Sequence, residues 1–201
     1  MYKLNRLLIG VLLLTAITSC NKDKDDAPQP QQVLSEPIIV KNIPADVASL
    51  GHYTFFSFKD NDTIPRSDSA TTRWDIAFKS TTIIVNSGSS GPGAAGAQIV
   101  VGLFDELAEA PANGYNSDNA SSFAIPTGTG TGWYNYSGEP NHVITPIPGR
   151  VLVVQTSDGK YAKVEILSFY KDAPATPAYQ DPTGRWYTFR YIYQPDGSRF
   201  F

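Results

Sequence analysis

The 201-residue sequence holds one cysteine, one methionine and two histidines, and each scarcity removes a class of chemistry. A single thiol, Cys20, cannot close an intramolecular disulfide, and no Cys/His spacing suits a zinc site. With only His52 and His142 available, and no Gly-x-Ser-x-Gly elbow, a hydrolytic triad has no basis. There is no Asp-x-Asp-x-Asp-Gly loop for calcium. Cations are outnumbered, 16 Lys and Arg against 19 Asp and Glu, and this balance argues against nucleic acid, whose phosphates are held by clustered basic side chains. The one marked apolar run, Leu7 to Leu14, falls short of the ~20 residues that span a bilayer.

That run nevertheless has a role. Lys3 and Arg6 precede it as the charged and apolar parts of an export signal, and Ile17-Thr18-Ser19-Cys20 looks like the lipobox at which a bacterial leader is cut and its thiol acylated. We therefore expect residues 1–19 to be a removed leader and Cys20 to carry the lipid that anchors the chain to a membrane. Loss of Lys3 and Arg6 takes the formal charge from −3 to −5. Asn21 to Asp26 is charged and Ala27 to Gln32 is rich in proline and glutamine, so residues 20–35 read as a disordered tether. One domain, 36–201, follows.

Within that domain short apolar and aromatic runs alternate with Gly, Pro, Asn, Asp and Ser, the pattern of an all-β fold of mostly antiparallel sheets. Strands are expected over Pro37 to Ile43, His52 to Lys59, Trp74 to Val85, Gln98 to Phe104 (buried) and Trp186 to Gln194. Arg150 to Thr156 and Tyr161 to Tyr170 flank Asp158-Gly159, which supplies the positive φ of a tight hairpin turn. In the second arm Ala162, Val164 and Ile166 face a core while Tyr161, Lys163 and Glu165 face water or a partner. Helix is limited to a turn or two over Ala45 to Leu50 and Phe104 to Ala110.

Two formal motifs fail on physical grounds. Gly91-Pro92-Gly93-Ala94-Ala95-Gly96 matches the dinucleotide pattern, but Pro92 removes an amide and a strand follows where a helix is needed, so 86–96 reads as a flexible loop. Asp105, Glu106 and Glu109 read as a solvated face rather than a glycosidase pair. More suggestive is Trp133-Tyr134-Asn135-Tyr136, close before His142, which offers flat apolar surface beside an imidazole. A planar metallocycle needs such walls and an axial nitrogen. The same aromatics also suit stacking on sugars, as in an adhesive or carbohydrate-binding surface lipoprotein.

Arg73 to Phe78 with the glycine-rich loop after it, Trp133 to Tyr136, Pro148 to Val151, Asp158 to Val164 and Tyr187 to Gln194 occur in an order that resembles the HmuY family of haem-capturing lipoproteins from Bacteroidota. The resemblance implies a non-enzymatic β domain that holds haem iron between two side chains from opposing loops and passes the haem to a TonB-dependent outer-membrane transporter. It places His142 as one iron ligand. Family members use paired histidines or methionines, whereas residues 104–134 contain neither; Tyr115 could serve there as an oxygen donor, or it is a loop aromatic and iron is held by His142 alone or not at all. Trp133, Tyr134 and Tyr136 become ring contacts. The acids behind Cys20 resemble the surface-export signal of the same phylum, which implies the outer face of the outer membrane, with a periplasm-facing spacer as the alternative.

Overall fold

The computed structural model describes residues 35–177 and 183–201; the leader, Cys20 and the tether up to residue 34 lie outside them. Among the described residues the strands are, in chain order, β1 (Ile38–Pro44), β2 (Thr54–Ser57), β3 (Asp62–Ile64), β4 (Ile76–Lys79), β5 (Thr82–Val85), β6 (Gly96–Val101), β7 (Tyr134–Tyr136), β8 (Ile144–Pro146), β9 (Arg150–Gln155), β10 (Tyr161–Tyr170) and β11 (Gly184–Gln194). Five form one sheet in the order β1-β11-β10-β9-β6, four form a second in the order β3-β2-β4-β5, and β7 and β8 pair as a separate hairpin. Every pairing is antiparallel, as the turn-punctuated sequence leads one to expect. The β9–β10 hairpin closes at Asp158-Gly159 with Tyr161 opposite Gln155, and β11 pairs along β10 from Tyr161↔Gln194 onward.

Both large sheets are covered on both faces, and strict alternation sorts their side chains. From the four-stranded sheet Phe56, Ile76, Phe78, Ile83 and Val85 point inward, where they meet Leu152, Val154, Ala162, Val164, Phe189 and Tyr191 of the five-stranded sheet. Their neighbours Phe55, Ala77 and Ile84 point outward beneath Trp74. On the far side Val151, Val153 and Ile192 lie beneath Phe104, Ala110 and Phe201. Sheets enclosed in this way read as unbroken apolar runs, which is why Thr82 to Val85 and Val151 to Val154 show no polar face.

Several expectations are corrected. The long strand expected over Trp74 to Val85 is a hairpin folded at Ser80-Thr81, with Lys79 opposite Thr82. No glycine or proline marks this turn. Its carbonyls are satisfied from elsewhere, Ser80 by the Tyr187 hydroxyl at 2.9 Å and Thr81 by the Trp133 indole N–H at 2.9 Å. The strand expected over Gln98 to Phe104 ends at Val101, which is 75% exposed because the chain leaves the sheet there. Ala45 to Leu50 and Phe104 to Ala110 form turns rather than helix; the one helical piece among the described residues is a 3₁₀ turn at Arg66–Asp68. In the first of those turns the Asp46 carboxylate accepts the amides of Leu50 and Gly51 at 2.7 and 3.0 Å.

The glycine-rich stretch 86–96 is a loop between strands, yet a packed one. The buried Asn86 amide donates to Thr71 and Trp74 carbonyls and accepts the Gly93 amide at 3.0 Å. A Cβ on Gly91 would lie 2.2 Å from Asn86 Oδ1 and 2.6 Å from the Trp74 ring, so the glycines there are required by close approach.

Lys163 is the sharpest departure. Expected to face water or a partner, it is only 3% exposed, because the segment after β6 folds over it. Its ammonium donates to the carbonyls of Phe104 and Leu107 at 2.8 and 2.9 Å and lies 4.5 Å from the Phe104 ring centroid. Burial lowers its pKa. Arg190, bonded to Glu165 at 2.7 Å and forked onto Asp105 at 3.1 and 3.2 Å, clamps the same segment.

Asp75 lies just before β4. Its carboxylate accepts the Phe58 amide at 2.8 Å beside a polar cleft of about 330 Å³ whose other walls include Asp60, Asp158 and Tyr193. Burial first, then the charges of Asp158 and Asp60, push the Asp75 pKa up to about 7.

Two outcomes are expected. Lys163→Ala strands two buried carbonyls and opens a void, and should cost on the order of 3 kcal/mol in chemical denaturation. Because Asp75 binds its proton more tightly in the folded state, stability should be greatest below pH about 4 as far as this group is concerned, and should fall as pH rises through about 7. Asp75→Asn keeps the acceptor for Phe58 and removes that slope; thermal melts between pH 5 and pH 8 differing by several degrees in wild type and level in the variant are the expected readout.

Candidate functional site

The sequence candidates divide sharply once folded. Trp133 is 1% exposed, its indole bonded to Thr81 and its faces taken by Tyr134, Phe169 and Tyr187 at centroid distances of 5.0, 6.0 and 5.1 Å. It holds the hairpin to the core and presents no face to a ligand, which corrects its expected role as a ring contact. Tyr134, the first residue of β7, is buried against Trp133. The platform of adjacent aromatics that sugar stacking needs is thus interior.

Tyr136 and His142 remain. The β7–β8 hairpin leaves the core between Tyr134 and Tyr136, so Tyr136 is 42% exposed while Tyr134, two residues back on the same face, is buried. Tyr136 pairs with Ile144, and His142 lies two residues before Ile144. The two side chains are therefore diagonal neighbours on one face. Their rings sit 5.9 Å apart, and the Tyr136 hydroxyl is hydrogen-bonded to His142 Nδ1.

The hairpin is pinned at its base and along its arms. The Tyr170 hydroxyl at the end of β10 accepts the Ile144 amide at 2.9 Å, and Thr129 Oγ1 accepts the Tyr136 amide at 2.8 Å. Ser137 and Val143 bond across the turn at 2.9 Å, and the His142 amide donates to Gly138 O at 2.8 Å with His142 at φ 50°. Phenol and imidazole are thereby held on a rigid outward projection. Such a pair can supply a nitrogen or an oxygen donor to a metal, each oriented by the other. Tyr170 and Thr129, which set this geometry, carry no signal in the sequence, because they act through contacts between distant segments.

Tyr115 is elsewhere. Its ring packs 6.0 Å from Tyr161 at the start of β10, whereas the hairpin meets Tyr170 at the end of that strand. Nine residues of strand separate these points by roughly 30 Å. The Tyr115 hydroxyl donates to Pro111 O at 3.0 Å, and burial pushes its pKa up to about 12. The structure does not bring Tyr115 to His142, so the expected pairing of the two on one iron is corrected. Four clefts walled by described residues, the largest of about 590 Å³ beside Ser89 and Phe123, have no hairpin residue in their lining. Among the described residues no group of three or more His, Cys, Asp or Glu could hold a metal ion, and no helix is long and apolar enough to cross a membrane.

Comparison with known proteins bears on this arrangement. The apo HmuY analog TFO of Tannerella forsythia superposes with a TM-score of 0.52 at 16% identity, over 81% of this chain and 99% of that one. Apo PinO of Porphyromonas gingivitis gives 0.51 at 12% identity, over 80% and 98%. At those identities the likeness speaks for the fold alone. No curated protein matches the sequence. The family model described as HmuY protein matches residues 49–191, which span β2 to most of β11 and include both Tyr136 and His142. This chain belongs to the HmuY family.

Proposed function

We propose that the protein is a non-enzymatic, lipid-anchored haem- or porphyrin-binding protein that captures its ligand outside the cytoplasm and hands it to a TonB-dependent outer-membrane transporter. Membership of a haem-binding family supports the class of ligand. The observation that carries the reading is the Tyr136–His142 pair, two metal-competent side chains in mutual contact on a pinned, outward-facing hairpin. The donor set suits ferric iron in a porphyrin, since imidazole and phenol oxygen are both axial ligands of haem.

The chain's own residues divide the work. His142 would supply the nitrogen donor for the iron, with the Tyr136 hydroxyl bonded to its Nδ1 and orienting the ring. Ile144 and Val143, half-buried on the same hairpin, offer apolar surface beside it. Trp133, Tyr134 and Tyr170 hold the hairpin's base so that the pair is placed before ligand arrives, which lowers the ordering cost of binding. Lipid on Cys20 and a tether over 20–35 would hold the domain at the outer membrane, with surface display as the favoured orientation.

The test of ligand class is a titration of the mature chain with ferric haem, followed by the Soret band. Wild type is expected to shift the band at stoichiometric haem, and His142→Ala to weaken binding about tenfold or more. A wild-type protein that leaves the haem spectrum unchanged would sink the proposal. For the anchor, Cys20→Ala should move the protein from the membrane to the soluble fraction. Protease added to intact cells should digest the wild-type domain; protection until lysis would place it on the periplasmic side.

A further inference from the structure

We propose that the polar cleft at Asp75 is a second binding site, independent of the β7–β8 hairpin, and that it takes a small hydroxylated primary amine whose ammonium group supplies the counter-charge that the carboxylates of Asp75, Asp60 and Asp158 lack.

The case begins with a half-buried acid that the fold uses only in part. The Asp75 amide donates to Phe56 O at 2.9 Å, and its carbonyl accepts the Asn86 amide at 3.1 Å. Trp74 before it and Ile76 after it are buried, which leaves the backbone no room to carry the carboxyl out to water. One carboxylate oxygen accepts the Phe58 amide at 2.8 Å. The other has no protein partner among the described residues and is not sealed in the interior, so it opens on the cleft of about 330 Å³ that Asp75 lines. No protein cation answers it. Arg73 on the same wall is ion-paired with Asp68, and among the described residues Lys59 forms no ion pair with Asp60, Asp75 or Asp158. A half-buried carboxylate without a counter-ion is costly to keep. The proton that Asp75 holds up to about pH 7 is the fold's substitute for a cation.

The remaining walls say what kind of cation. Among the described residues no group of three or more His, Cys, Asp or Glu could hold a metal ion, so these three carboxylates share a cleft without converging on a point. That spacing suits a polyatomic ion. Hydroxyls line the rest. The buried Ser57 hydroxyl accepts the Asp60 amide at 3.2 Å and keeps its own proton to donate. Ser157 donates to Asn86 O at 3.3 Å and keeps its lone pairs to accept, and Thr72 and Tyr193 add two more hydroxyls. The volume lies at the lower end for small-molecule sites, which keeps the ligand small.

Binding should move a proton. The groups that face Asp75 are Lys59 and Asp60 after β2, Arg73 beside it, Asp158 from the β9–β10 turn, and the phenols of Tyr191 and Tyr193 on β11, both pushed up to about 12 by burial. An ammonium ion at the free oxygen favours the ionised carboxyl, so the Asp75 proton leaves to buffer and no covalent bond to the ligand forms.

The experiment is isothermal titration of the mature chain with ethanolamine at pH 6, 7 and 8, in buffers of different ionisation enthalpy. A simple alkylamine stays charged across this range. Affinity should rise about tenfold from pH 6 to pH 8, with proton release at pH 6. Asp75→Asn, which keeps the acceptor for Phe58, should melt cooperatively, bind ethanolamine about tenfold or more weakly at pH 8 and lose the pH dependence. Asp158→Asn, on an exposed turn, should weaken binding about threefold. At pH 7 glucosamine should bind more tightly than ethanolamine, and glucose, which lacks the ammonium, should not bind. A wild-type protein silent to both amines, an Asp75→Asn variant that binds as wild type does, or glucose binding as well as glucosamine would each overturn the inference. None of these outcomes touches the haem-binding reading, which stands or falls on the Soret titration.

Discussion

Each of the two large sheets must be covered on both faces, and this requirement organises the molecule. Alternating side chains send Phe56, Phe78, Val154 and Val164 into the space between the sheets and send Phe55, Ile84, Val151 and Val153 outward. Outward apolar side chains need lids. The segment carrying Trp74 covers one sheet; Phe104, Ala110 and Phe201 cover the other. The lids are irregular chain, so their backbone groups need partners that no ladder provides. Lys163 and Asn86 meet that need from beneath, which explains why these polar residues sit inside a β protein.

The β7–β8 hairpin is the exception to enclosure. It is hydrogen-bonded into neither large sheet and is held at its base by Tyr170 and by Trp133, whose indole reaches the turn of the β4–β5 hairpin. Aromatic side chains near its base are consumed in that attachment. What projects is a tip whose face carries Tyr136 and His142 in contact. A rigid scaffold with a small chemically distinct projection is the usual division between fold and function. It also separates the tip from the polar cleft at Asp75, which lies at the other end of β10 and β11, where Asp158 and Tyr193 close the cleft.

Parts of this were legible from residue order. The Asp158-Gly159 hairpin, its pairing with the last strand and the scarcity of helix follow from local turn chemistry and period-two alternation, and the structure agrees. The Ser80-Thr81 turn was not legible, because no residue there prefers a turn; Tyr187 and Trp133, 107 and 52 positions away, satisfy its carbonyls. Lys163 reads as a surface residue by alternation, and only the fold-back of 103–110 buries it. Among site candidates the proximity of Tyr136 and His142 was implicit in their spacing around a turn. Nothing local separates Trp133 from Tyr136, although one is core and the other projects.

By itself the sequence determined the fold class, the central hairpin and the family, since these depend on alternation, turn residues and the order of recognisable segments along the chain. It also limited the ligand chemistry, because two histidines and no methionine after Met1 leave few donors. Tertiary structure alone decided which aromatics are walls of a core and which face outward, and it placed Tyr115 about a strand's length from His142. The physical reason is common to each case. A side chain's burial is set by what folds over it, and the covering segments here come from 52 to 133 residues away in the chain.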